Sequence, residues 1–186
     1  MMKIDILFTG HLCLDEVQPY GEEKYFAPGS AVLCGAKVAA RTDKKIGVYT
    51  RISRENEELL NDLRSDGVMV FPDYSDQTTM AGVLHPSPNV DERRLFIYKD
   101  AGAMRMDFFP EAVINHVHLA GISDREFSMD FMKEVRKRCK TLSVDMQSFV
   151  RQVDLNTREI NFSDVENKKE IVSLMDSVKL DVVEAK

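Results

Sequence analysis

The sequence predicts an α/β fold, a mostly parallel sheet with helices on both faces and a small β lid. Three observations predict it. Short apolar runs alternate with helix-period segments from Ile4 to Phe71 and again from Val117 onward. Two β-like runs, Thr78 to Leu84 and Arg94 to Tyr98, break that alternation with no helix between them. Hydrophobic residues make up 44% and charged residues 30% of the 186, the balance of a single globular domain with a sizeable core.

Each element has a local reason. Ile4 to Phe8 is an apolar run closed by Thr9-Gly10, as a buried parallel strand requires. Leu12 to Val17 continues extended, and Lys24 to Phe26 gives a further short strand before the Pro28-Gly29-Ser30 turn. Val32, Ala36, Ala39 and Ala40 recur at helical spacing, and that helix is expected to end near Thr42-Asp43. Ile46 to Tyr49 is the next core strand. Ser53 is placed to cap a helix through Leu59, Leu60 and Leu63, which Gly67 stops before the strand Val68 to Phe71. Strand-helix-strand order of this kind implies crossover units and parallel pairing.

HPSPNVDER joins the two β-like runs, so they form a hairpin with a long loop, expected to lie outside the main sheet. Val117 to Ala120 resumes the sheet. S-D-R-E at Ser123 to Glu126 reads as a capping box for the helix carrying Phe127, Phe131, Val135 and Cys139. Leu142 to Asp145 is a strand, and Gln147 to Asn161 is a polar excursion. A second capping box, Ser163 and Glu166, opens the helix with Ile171, Leu174 and Met175, before a last strand from Val178 to Val183. No helix follows that strand, so one face of the sheet is expected to lack cover.

The bulk numbers exclude several classes. A net charge of −6 with no basic face argues against a nucleic-acid partner. The basic run Lys133 to Lys140 reads as a solvated helix face. Cys13, Cys34 and Cys139 are odd in number and widely spaced, which fits reduced thiols and gives no zinc knuckle. No run approaches the roughly 20 apolar residues of a spanning helix, and the N-terminus lacks a signal h-region. A cytoplasmic protein with no membrane partner is expected.

Familiar nucleotide motifs fail. In Gly29 to Lys37 the second glycine comes one residue late for a P-loop, and Ala36 separates it from Lys37. Thr9-Gly10-His11 has no second glycine in register for a dinucleotide fingerprint, which disfavours an oxidoreductase. His116 and His118 share a strand face, but no Cys or carboxylate pattern completes a metal set, and a structural role is expected.

The ordered set of segments resembles the N-terminal two-thirds of a PfkB-type carbohydrate kinase of the ribokinase-like superfamily. The resemblance runs through DILFTGHLCLDEV, APGSAVLCGAKVAARTDKKIGVYTRIS, the hairpin TTMAGVLHPSPNVDERRLFIYKDAGA, VHLAGIS, LSVDMQSFVR and VKLDVVEAK. It implies one partial ribokinase-like domain over residues 1–186, with lid segments at about 12–27 and 77–100. It further implies a phosphotransferase with an alcohol acceptor, using ATP and Mg2+ on a sugar, polyol or nucleoside, and a homodimer through the lid hairpin.

By that resemblance Asp15 binds substrate hydroxyls beside Gly29, and Ser30, Cys34 and Arg151 complete the substrate-binding set. Ser30 stands where the family has its second glycine and Cys34 where it has Asn, which alters substrate recognition, since a thiol hydrogen-bonds only weakly. DMQSFVR is similar to the family's D-P-N-x-R with two extra residues. Asp181 and Glu184 fall in the N-x-x-E motif as cofactor-binding residues, with Glu184 as the magnesium acid. The family's G-A-G-D segment, whose amides stabilise the migrating phosphoryl group and whose Asp is the base, has no match, and DAGAM at Asp100 to Met104 is a decoy. Lacking that segment, the 186-residue chain alone is expected to be inactive. The alternative is a non-catalytic sugar- or nucleoside-binding or regulatory remnant of the same fold.

Overall fold

A computed structural model describes residues 1–182 of the chain. Six parallel strands form the main sheet: β1 (Lys3–Thr9), β4 (Ile46–Ile52), β5 (Met69–Tyr74), β8 (Val113–Leu119), β9 (Cys139–Asp145) and β12 (Ser177–Lys179). Their spatial order is β12-β9-β8-β1-β4-β5, all parallel. Counted along the chain this is the doubly wound order, which reverses between β1 and β8. Ligands on such sheets bind outside the carboxyl ends of the strands at that switch point.

Helices lie on both faces, as the predicted fold class requires. The lack of a helix after the last strand predicts an uncovered face instead; that strand, β12, stands at the sheet edge. On one face α1 (Ala31–Ala39) buries Val32, Leu33 and Ala36, and α2 (Asn61–Ser65) buries Leu63, against Ile46, Val48 and Ile52. On the other, α3 (Met129–Arg138) and α5 (Lys168–Ser173) cover Val117, Leu119, Leu142 and Val144 with Phe131, Met132, Val135 and Ile171. No helix among the described residues is long and apolar enough to cross a membrane.

The remaining strands stand apart. β2 (Cys13–Gln18), β3 (Tyr25–Gly29), β6 (Thr79–Leu84) and β7 (Arg94–Lys99) form a second sheet in the order β3-β2-β6-β7. β6 and β7 are antiparallel, the hairpin read from their sequence. β3 runs on through Pro28 and Gly29, which the sequence reading took as a turn; as an edge strand it tolerates a proline that donates no hydrogen bond.

The polar excursion holds a short helix α4 (Gln147–Val150) and a hairpin of β10 (Arg151–Val153) and β11 (Ile160–Phe162). This hairpin props the lid edge: Ile97 N–H donates to the Arg158 carbonyl at 2.8 Å, and Arg94 clasps Glu159 at 2.7 and 2.8 Å.

Five local expectations change. α1 ends at Ala39, where Thr42 Oγ1 donates to the Ala39 carbonyl at 2.7 Å. Ser53 precedes a 3-10 segment, Arg54–Leu60, and its hydroxyl meets Thr78 at 3.0 Å and does not cap the helix. α3 is capped by Ser128, which accepts from Phe131 N–H at 3.1 Å, while Ser123 is buried and buried Glu126 serves the N–H groups of His11 and Ile122. α5 follows Asn167, since Ser163 N–H is still bonded to the Val150 carbonyl. β12 closes at Lys179, so Asp181 lies beyond it, and Glu184 lies outside the described residues.

Candidate functional site

A cavity of about 440 Å³ opens between the lid sheet and the carboxyl ends of β8, β9 and β12. That volume lies within the ~300–1,000 Å³ of small-ligand sites. From the lid come Cys13, Asp15, Gly29, Ala81, Gly82 and Leu95; from the main-sheet side come Ser30, Cys34, Ile122, Asp145, Gln147, Arg151 and Lys179. Five residues singled out in the sequence, Asp15, Gly29, Ser30, Cys34 and Arg151, therefore meet in one space. Asp181 is half-buried and is not part of the lining.

Strand alternation puts Cys13 and Asp15 on the same face of β2, and β3 lies antiparallel beside it. The Asp15 carboxylate then folds over Gly29. A Cβ added to Gly29 would sit 1.9 Å from Asp15 Oδ2, so no other residue leaves room for the acid in this position. Cys13 Sγ donates to Asp15 Oδ1 at 2.9 Å. Burial pushes the Asp15 carboxyl above the usual carboxylate range, partly offset by that thiol bond. Burial and the neighbouring Asp15 charge also raise the Cys13 thiol well above its ordinary value. The acid lines the cavity and, when ionised, is a strong acceptor.

Ser30 keeps a glycine-like backbone, with φ 121° and ψ 158°, while its Oγ accepts from Leu33 N–H at 3.2 Å and caps α1. The serine thus serves the helix at the expense of a backbone conformation that L residues rarely adopt. Cys34 is exposed one turn further along α1.

Sequence reasoning did not single out Cys13, Asp145, Gln147 or Lys179 as site residues. Buried Asp145 accepts from Lys179 Nζ at 2.8 Å, and Gln147 Nε2 donates to the Gly121 carbonyl at 2.7 Å. Arg151 lies 6.0 Å from the Phe162 ring centroid. The C-x-D alternation in CLDE was the one signal in the sequence that pointed to Cys13. His116 and His118 belong to a different arrangement: His116 meets Thr141 and Ser143, and His118 meets Ser143, each at 2.8 Å. Among the described residues no group of three or more His, Cys, Asp or Glu side chains could hold a metal.

This fold has counterparts among solved structures. A sulfate complex of a pyrophosphate-dependent kinase in the ribokinase family is 28% identical, with a TM-score of 0.87 over 97% of this chain and 63% of the other. The fold is that of the ribokinase family. The same kind of kinase complexed with a pyrophosphate analog and myo-inositol is 27% identical, with a TM-score of 0.85 over 97% of this chain and 62% of the other. A fructokinase double mutant from Vibrio cholerae O395, bound to fructose, ADP and potassium ion, shares the fold at 14% identity and a TM-score of 0.69, over 99% and 62% of the two chains. The chain spans just over three-fifths of the length of these ribokinase-fold proteins. No family model matches the sequence, and no curated protein does.

Proposed function

We propose that the chain takes part in phosphorylating a hydroxyl of a sugar or polyol, and that the cavity is the polyol site. The observation that carries this is the Asp15 carboxylate seated over Gly29, a half-buried acidic acceptor facing a space of small-ligand size. Such an acid orients vicinal hydroxyls with bonds stronger than neutral groups provide. Gly29 permits the close approach, and Cys34 replaces an amide by a thiol, which leaves fewer polar contacts to that side of the ligand. A cyclic polyol is favoured over a nucleoside, because the kinases at 27–28% identity include a complex with myo-inositol.

Arg151 and Lys179 supply positive charge from the main-sheet side of the cavity. They fit a phosphoryl group approaching the hydroxyl that Asp15 orients, with Arg151 counted among the substrate-binding residues. ATP is the donor implied by the family resemblance. Pyrophosphate is a second candidate, favoured by the pyrophosphate-dependent kinases of higher TM-score. Magnesium would fall to Asp181 and Glu184, whose carboxylates would neutralise phosphate charge through bound water. The described residues alone do not form that site. A homodimer through the lid hairpin is supported by exposed aromatic surface on the second sheet, where Tyr98 of the hairpin is 42% and Phe26 of β3 is 52% accessible.

The test is a donor-by-acceptor assay. ATP and pyrophosphate are each offered with myo-inositol, fructose and adenosine, while binding of each acceptor is measured by calorimetry. Binding of myo-inositol without transfer is the expected result for the 186-residue chain, whose sequence has no G-A-G-D segment. Transfer from either donor would contradict that expected inactivity, and binding of neither sugar nor polyol refutes the site.

A further inference from the structure

The chain passes between main sheet and lid four times, at residues 10–12, 29–30, 75–78 and 100–102. One residue sits on the first of these crossings and reaches, through its ring, the fourth crossing and the strand start that follows the third. His11 is 1% exposed and leaves β1 for β2; its Nε2 is 2.9 Å from the Gly102 carbonyl, and its Nδ1 is 2.7 Å from Thr79 Oγ1, at the start of β6. Thr79 Oγ1 also accepts from Ala101 N–H at 3.0 Å. The Gly102 carbonyl only accepts, so Nε2 carries a proton; in the neutral ring Nδ1 then accepts the Thr79 hydroxyl proton. Every polar atom of ring and hydroxyl is thereby used.

The main chain at the same point is held by the core. Glu126 Oε2 accepts from His11 N–H at 2.7 Å and Oε1 from Ile122 N–H at 2.5 Å, and Leu12 N–H donates to Thr50 Oγ1 at 2.7 Å. The ring therefore reaches out from an anchored backbone. Cys13 and Thr79 are register partners in the β2–β6 pair, and Asp15 is one alternation further along β2. A rotation of the lid about its crossings would move Asp15 relative to Gln147, Arg151 and Lys179.

We propose that His11 is the hinge pin of the lid, a positioning residue whose ring, through Thr79 and Gly102, sets the distance between the lid wall and the main-sheet wall of the cavity. The pin itself stands on these bonds alone. Its consequence for a ligand rests on the polyol reading, so the two are measured separately.

Thr79→Val keeps the shape and removes the hydroxyl, leaving His11 Nδ1 and Ala101 N–H without their partner, whereas Thr79→Ser keeps it. Hydrogen exchange of the unliganded protein is expected to quicken about tenfold at lid amides in β2 and β6, with the amides of β1, β4 and β8 unchanged, and Thr79→Ser is expected to restore it. Exchange that rises equally in lid and core, or not at all, overturns the pin. With myo-inositol as probe, affinity is expected to fall at least about threefold in Thr79→Val and to recover in Thr79→Ser. If the unmutated protein does not bind the probe, the polyol reading fails and the exchange result still decides the hinge. Should Thr79→Val fail to fold, the ring nitrogens of His11 in the unmutated protein decide by NMR. The Nε2–H tautomer is expected, and the Nδ1–H tautomer overturns the proposal.

Discussion

Asp15 Oδ2 occupies the space that a side chain on Gly29 would need, with only 1.9 Å between that oxygen and a Cβ built on the glycine. The two residues lie on neighbouring antiparallel strands, β2 and β3, and neither position is free to vary while the other keeps its role. Gly29→Ala is therefore expected to drive the carboxylate out of the cavity. Polyol affinity should fall by ~10–100-fold, the value of a hydrogen bond or two to a charged group. Titration of the variant with myo-inositol, alongside circular dichroism to show an unchanged fold, checks this.

Ser30 gives a prediction of opposite sign. Its φ of 121° is strained for any residue with a side chain, and its Oγ caps α1 through Leu33 N–H. Relief of the backbone strain is worth ~1–3 kcal/mol, and a glycine cap loses only a few tenths against serine. Ser30→Gly is expected to raise the melting temperature by a few degrees, on the order of 2–4 °C per kcal/mol at this size. An unchanged or lower melting temperature would contradict the strain argument.

The pH dependence follows from Asp15. Burial raises its folded-state carboxyl above the unfolded value, so between those two values the folded chain binds more protons than the unfolded one. Stability from this group therefore falls as pH rises through that window, and the cost is fully present above the raised folded value. Hydroxyl binding needs the ionised acceptor and runs the other way, strengthening as pH rises through the same window. Asp15→Asn should thus be more stable than the parent at neutral pH, lose that advantage in acid, and bind polyol weakly throughout. Urea unfolding at several pH values reads the first two effects.

Glu126 tests the anchor beneath the lid. Its carboxylate is buried and accepts two backbone N–H groups, from His11 and Ile122. Glu126→Gln turns one acceptor into a donor that faces an N–H group. Leaving buried donors unsatisfied costs ~1–3 kcal/mol each, so the urea midpoint should fall markedly. A helix-cap role alone would cost ~0.5–2 kcal/mol and would leave His11 exchange unaffected.

Much of the fold was legible because it rests on local patterns. Apolar runs such as Ile4 to Phe8 and Leu142 to Asp145 are strands buried on both faces, and the long polar loop between Leu84 and Arg94 marks the hairpin. The misreadings share a physical cause, tertiary use of a locally plausible residue. Glu126 has the spacing of a capping box, yet its carboxylate serves a backbone amide 115 positions away. Pro28 and Gly29 read as a turn, because nothing local shows that they lie on a sheet edge. In the cavity, Asp15 and Gly29 were visible through the family resemblance. The Asp145–Lys179 contact spans 34 positions and has no local signature.

The central claim is that Asp15 holds a polyhydroxy ligand in this cavity. Calorimetric titration of the chain with myo-inositol, run in parallel on Asp15→Asn at neutral pH, tests it most directly. Saturable binding by the parent and a loss of ~10–100-fold in the variant are predicted, as expected when a charged acceptor is replaced by an amide. Equal affinity in the two proteins, or no binding in either, would contradict it.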